Sequence, residues 1–252
     1  MKKIKKFLLT IAMTMIFSVS AFAASGFEFL FQLAGGAGVV IPTKEAKDLL
    51  GVKGELSADA DVSAQIGYMF QVKDGFGISV LGELGYAWDI YSMGYGDTTI
   101  ANVAGNYIAK DGVDFIQYYH SFKIGFLPKF NIGFGGRHWL AIGIGGGVKI
   151  PIAGYQLLTT TYAGNNHATS KTAKSQTEIV LKRKDITDMF SSSVIGYMKV
   201  TFDYYLFFTD NIAMSSGLYL GVDFGPKYKD SKASINSFDI GLQLGFRFGP
   251  KA

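Results

Sequence analysis

The chain has 252 residues, 48% of them hydrophobic and 15% aromatic, with 32 glycines and no cysteine. The absence of cysteine excludes disulfides and a lipid anchor carried on a cleavage-site cysteine. Its formal charge of +4 comes from the extreme N-terminus: four of the 24 bases lie in residues 1–23, which hold no acid, so 20 bases face 20 acids beyond them and no nucleic-acid partner is expected.

Residues 1–23 have the layout of a secretory signal. Lys2, Lys3, Lys5 and Lys6 form the charged part, Phe7 to Phe17 the apolar part, and Ala21-Phe22-Ala23 a small-x-small cleavage site, so cleavage is expected after Ala23. The apolar part is too short to span a bilayer, and no later run of 18 apolar residues suggests a transmembrane helix. Residues 24–252 are expected to form one domain.

Within that domain the dominant signal is a period of two. Successive side chains of a strand point to opposite faces, so alternation of apolar and polar residues marks a strand with one apolar face. Residues 26–41 set Phe27, Phe29, Phe31, Leu33, Val39 and Ile41 against Glu28 and Gln32, and Pro42 closes the strand. Residues 43–57 are read as a loop, with a short helix over 43–51 capped by Thr43 and stopped by Gly51. Residues 58–71 set Ala60, Val62, Ile66, Tyr68 and Phe70 against Asp61, Ser63 and Gln65, and Lys73-Asp74-Gly75 signals a tight hairpin.

Residues 76–91 set Phe76, Ile78, Val80, Leu84, Tyr86, Trp88 and Ile90 against Ser79, Glu83 and Asp89. A long loop is expected over 92–112. Residues 115–132 oppose Ile116, Tyr118, Phe122, Ile124, Phe126, Phe130 and Ile132 to Gln117, Tyr119, Ser121, Lys123 and Lys129, with Pro128 expected at a bulge or near the membrane edge. A glycine-rich turn over 133–138 leads to 139–150, where Leu140, Ile142, Ile144, Val148 and Ile150 face away from Ala141, Gly143, Gly145, Gly147 and Lys149.

The longest loop is expected over 151–193. Residues 195–208 then oppose Met198, Val200, Phe202, Tyr204, Leu206 and Phe208 to Tyr197, Lys199, Thr201, Asp203 and Tyr205. After a tight turn at Thr209-Asp210-Asn211, residues 212–225 oppose Ile212, Met214, Leu218, Leu220, Val222 and Phe224 to Ser215, Tyr219 and Asp223. A loop over 226–234 precedes the last strand. There Phe238, Ile240, Leu242, Leu244, Phe246 and Phe248 lie opposite Ser237, Asp239, Gly241, Gln243, Gly245 and Arg247.

Eight strands result, joined by connections that alternate long and short. The predicted fold class is all-β: an eight-stranded antiparallel up-and-down transmembrane barrel, with apolar residues toward lipid and polar residues inside. In this phasing the apolar faces carry no charge. The opposite faces carry twelve charges, namely Glu28, Asp61, Glu83, Asp89, Lys123, Lys129, Lys149, Lys199, Asp203, Asp223, Asp239 and Arg247. Aromatics also gather near both ends of the strands, as at membrane interfaces.

The pattern and connectivity resemble the small eight-stranded outer-membrane barrels, the group of the OmpA transmembrane domain, OmpX, the opacity proteins and OmpW, over all of residues 24–252. The resemblance implies residence in the outer membrane of a diderm bacterium, contact with its lipid, and assembly by the barrel-assembly machinery. The signal that this machinery reads, polar-x-Gly-x-x-apolar-x-aromatic, is matched by Asp239, Gly241, Leu244 and Phe246, with Phe248 beyond. The family usually ends on the aromatic, whereas this chain continues Gly249-Pro250-Lys251-Ala252.

An eight-stranded barrel has room inside for side chains and little else. The twelve inward charges are therefore expected to pair into a plug, with Glu28 and Arg247 closing the first strand on the last. The other reading is a narrow conduit or a pocket for a small apolar or polar solute, along the small-residue strip Ala141, Gly143, Gly145, Gly147; Tyr119, Tyr197 and Tyr205 are the side chains able to fill it. His120 lies outward beside Tyr118 and Phe122 with no serine or acid; His138 and His167 have no partner in sequence. No enzyme, cofactor or metal site is expected. The triplet Lys182-Arg183-Lys184 reads either as a contact for anionic lipid head groups or as plain loop solubility. Loops of this length also leave a host or surface partner open.

Overall fold

The computed structural model describes residues 25–101, 108–166, 169–229 and 231–251. The signal segment with Ala21 and Ala23, and His167, lie outside the described residues. In chain order the elements are β1 (Gly26–Pro42), α1 (Lys44–Leu50), β2 (Val52–Lys73), β3 (Phe76–Ala101), β4 (Ile108–Phe126), β5 (Lys129–Gly133), β6 (His138–Asn166), β7 (Thr169–Lys182), α2 (Arg183–Met189), β8 (Phe190–Ser192), β9 (Ile195–Phe207), β10 (Ile212–Phe224), β11 (Lys227–Tyr228) and β12 (Ile235–Phe248).

Each stave pairs antiparallel with its sequence neighbours, and β1 pairs with β12 as well as β2, from Phe29↔Phe248 to Pro42↔Ile235. The sheet therefore closes with no free edge in its wall, the condition for strands to cross a bilayer without unpaired backbone groups. Eight staves make the wall: β1, β2, β3, β4 with β5, β6, β9, β10 and β12. The register fixes their tilt. Stepping sideways from Ala37 through Ala58, Ile90 and Tyr118 meets β6 at Tyr155; stepping the other way through Ile240, Leu220 and Val200 meets it at Ile144, eleven residues lower. Such a stagger is what closure of tilted strands demands.

Three tight turns join staves at one end: Asp74-Gly75, residues 134–137 and residues 208–211. Gly75 adopts φ 76, a left-handed turn conformation open to glycine without strain. At the other end α1 forms where the capping residues place it. Thr43 Oγ1 accepts from the Ala46 amide at 3.3 Å, and Gly51 stops the helix at φ 66. Pro128 lacks an N–H to give the ladder and splits one stave into β4 and β5. The break turns Leu127 into the lumen, where its amide donates to the Leu81 carbonyl at 2.8 Å.

The expected loops over 92–112 and 151–193 are largely strand instead. β3 runs on to Ala101 and pairs with β4 from Ile108, while β6 runs to Asn166 and pairs with β7, whose other edge meets no strand among the described residues. Residues 226–234 likewise contribute β11, paired to β8. Polar Thr-, Ser- and Asn-rich sequence reads as loop because it has no apolar face. In a hairpin standing clear of a membrane neither face needs to be apolar, so backbone pairing alone carries the strand.

Candidate functional site

Burial in the wall is inverted relative to a soluble barrel. Leu242 is 63% exposed on the outer face, whereas Arg247 is 1% exposed inside. All twelve charges on the polar faces are buried, and with them Gln32, Gln65, Gln117, Asn131, Thr201 and Gln243. A surface of bare Leu, Ile, Val and Phe around a charged interior is stable only where hydrocarbon surrounds it. The chain is a β-barrel of the outer-membrane type.

At the turn end the lumen begins with Glu28 and Arg247. Arg247 Nη2 and Nε donate to Glu28 Oε2 at 2.7 and 3.0 Å, and Nη2 also donates to the Pro250 carbonyl at 2.9 Å. The guanidinium lies over the rings of Tyr205 and Phe207, at 5.1 and 5.3 Å. Gly249 and Pro250 are buried, so the four residues beyond the final aromatic begin by folding under the barrel. Around this pair Leu30, Met69, Leu81, Trp139, Ala141, Tyr205, Phe207 and Ala213 pack into an apolar floor. Lys251 reaches Asp210 at 2.9 Å, but Asp210 is 92% exposed. Lys251→Ala is expected to change unfolding free energy by less than about 0.5 kcal/mol in urea titration, because exposed pairs are screened.

Above the floor, Lys129 binds Asp203 at 2.9 Å, and Asp203 also accepts from Thr201 and Gln243. Lys123 binds Asp61 at 2.7 Å and Glu83 at 3.4 Å; Lys199 stands 3.9 Å from Asp61; Tyr197 donates to Glu83 at 2.7 Å. Through this level the charges balance, with Glu28, Asp61, Glu83 and Asp203 against Lys123, Lys129, Lys199 and Arg247.

The next level does not balance. Among the described residues Lys149 alone binds Asp89 at 2.6 Å and Asp223 at 2.7 Å, and Asp59 and Asp239 have no ion pair. Hydroxyls supply the missing donors: Tyr219 to Asp59 at 2.6 Å, Ser57 and Ser237 to Asp239 at 2.5 and 2.6 Å, and Tyr91 to Asp223 at 3.1 Å. Asp59 was absent from the sequence reading although it shares the inward parity of Asp61. It sits at the start of that predicted strand between Ala58 and Ala60, whose small side chains mark the apolar face only weakly.

The loop end is closed by apolar packing. Phe190 of β8 and Ile186 of α2 are buried with Val40, Val52, Tyr91, Met93, Tyr119, Leu181, Ile195 and Ile235, and Arg183 ties α2 to the rim through the Pro151 carbonyl at 2.8 Å. The interior leaves a cavity of about 20 Å³ beside Asp59, Asp61, Lys149 and Tyr219, room for about one water molecule.

The small-residue strip of β6 is not a passage. A Cβ on Gly145 would stand 2.1 Å from the Phe126 carbonyl oxygen, and one on Gly143 would meet Thr201, Lys129 and Leu127. The glycines let the β4–β5 break lie against β6, with Leu127 filling the space. Tyr197 and Tyr205 point into the lumen as its large members, joined by Tyr219, which crosses Gly36 and Gly241. Of the histidines, His120 lies outward with Nδ1 2.5 Å from the Tyr86 hydroxyl, and His138 is the first residue of β6, paired in the same way with Tyr204. No group of three metal-ligating side chains occurs among the described residues. Gly241 is buried in β12, with Leu244 and Phe246 on its outer face.

No protein-family model and no curated protein sequence matches the chain. Among solved structures it is similar to Neisserial surface protein A, at 13% identity and a TM-score of 0.36, over 90% of this chain and 99% of that one. The outer membrane protein OprG from Pseudomonas aeruginosa is similar at 10% identity and a TM-score of 0.36, over 90% and 97%. The outer membrane protease OmpT from Escherichia coli is similar at 9% identity and a TM-score of 0.34, over 91% and 99%. At such scores the likenesses add nothing to the fold fixed by strand register, and nothing about role.

Proposed function

We propose that the protein is exported, loses residues 1–23 after Ala23, and works in the outer membrane of a diderm bacterium as a closed anchor whose extracellular sheet is the functional surface. The terminal strand, through Asp239, Gly241, Leu244, Phe246 and Phe248, is the segment that the barrel-assembly machinery reads on this proposal. The observation that carries the closed-anchor reading is the filled lumen: an apolar floor, a level of balanced ion pairs, a level of acids held by Lys149 and hydroxyls, and an apolar cap follow one another, with a cavity of about 20 Å³ at the third of these, room for about one water. The β3–β4 and β6–β7 hairpins above the cap are the surface offered to a host or surface partner. No catalytic role is assigned.

Single-channel recording in a planar bilayer tests this. The folded protein is expected to be silent, and discrete conductance steps from correctly folded, heat-modifiable barrel would restore the conduit for small solutes.

A further inference from the structure

The outer face carries a second feature, independent of whether the lumen is open. Cross-strand register places Trp88, His120, Ala153 and Lys182 in one row around the rim, and Ile90, Tyr118, Tyr155 and Val180 in the next. These side chains share the outward parity, so aromatic rings, a small residue and a lysine lie side by side on neighbouring strands. Tyr118 and Tyr155 stack at 4.2 Å between centroids and 15° between planes, with His120 packed against Tyr155. Ala153 leaves a shallow step between them and Lys182.

The basic triplet divides at this point. Arg183 is turned inward on the Pro151 carbonyl, while Lys182 and Lys184 are exposed. Directly below and beside the step the wall is bare apolar surface, with Phe122 at 54% and Ile152 at 45% exposed. Such groups belong in acyl chains. The lysines therefore stand where hydrocarbon gives way to head groups, the depth favoured by aromatic girdles and by cations on anionic lipid.

We propose that this rim is a binding site for a phosphorylated glycolipid of the outer leaflet, its phosphate held by Lys182 and Lys184 and its sugar lying on Tyr118, Tyr155 and His120. An aromatic ring presents a flat apolar face to the C–H face of a sugar, and an ammonium pairs with phosphate. A zwitterionic lipid satisfies only part of this arrangement.

The protein carries two tryptophans, Trp88 at the site and Trp139 enclosed in the lumen, so a lipid-dependent change in its emission reports on Trp88. The full protein is placed in phosphatidylcholine nanodiscs with rising mole fractions of a diphosphorylated glucosamine lipid. Emission is expected to saturate. Lys182→Gln with Lys184→Gln should shift the half-saturation fraction up roughly thirtyfold, the effect of two lysines near a membrane surface. Tyr155→Ala should weaken the glycolipid but leave the response to phosphatidylglycerol unchanged. The dephosphorylated lipid, tested on the unaltered protein so that folding of a variant is not at issue, should behave like the double variant. An unchanged curve with either the double variant or the dephosphorylated lipid, or no change of emission at any fraction, overturns the proposal.

Discussion

Arg247→Ala is expected to lower the unfolding free energy by about 3–5 kcal/mol, the cost of leaving one member of a buried ion pair alone. Glu28 is 2% exposed, and among the described residues its Oε2 receives both of its hydrogen bonds from Arg247. The substitution also strips Tyr205 and Phe207 of the group packed on their faces and frees the Pro250 carbonyl. Because β1 and β12 meet through this pair, the loss falls on barrel closure. Urea unfolding followed by heat-modifiable gel mobility measures it. The double variant Glu28→Met with Arg247→Leu removes both charges and is expected to recover most of the loss, since an apolar pair in a buried site is often as stable as the ion pair it replaces. A double variant as unstable as Arg247→Ala would show that shape, not charge, holds the seam.

Gly145→Leu is expected to block folding rather than block a passage. The atoms in the way belong to backbone, the Phe126 carbonyl and the Leu127 Cα, which lies 2.8 Å from the added Cβ, so a rotamer change in a neighbour cannot make room. Overpacking of a tight interior costs up to about 3 kcal/mol where side chains can yield; here the β4–β5 break itself must move off β6. The refolded fraction in detergent should fall to a small remainder. Gly221→Ala is the matched control, because it lies on the lumen side with its nearest neighbour at 3.8 Å, and refolding should be unchanged. Normal refolding of Gly145→Leu would mean that the lumen beside β6 holds more space than the packing shows.

The wall of the barrel was legible from alternation alone. Phe238 to Phe248 against Asp239 to Arg247 leaves one phase, because a slip by one residue would turn every charge toward lipid. The inward set of twelve charges follows from the same parity, as do the tight turns and the α1 cap, which depend on local chemistry at Asp74-Gly75, Thr43 and Gly51. The pair of Glu28 and Arg247 was legible, because the first and last strands must meet to close a barrel. Which cation meets which acid elsewhere was not. Lys123 reaches Asp61 across 62 positions of sequence; such partners are set by stagger around a closed ring, a sum of registers over all eight staves that no single strand encodes. The same holds for the glycines of β6, which alternation presents as empty space and the break at Pro128 fills with Leu127. The polar hairpins above the membrane escaped for the opposite reason. Alternation records what lies on each side of a strand, and the polar sequence of β7 carries almost no such record; its pairing with β6 shows it to be a strand. Sequence by itself thus determined the faces of this protein, because lipid and lumen impose opposite chemistry on adjacent residues. Tertiary structure alone decided what those faces enclose, because closure brings together side chains that are neighbours in space and strangers in sequence.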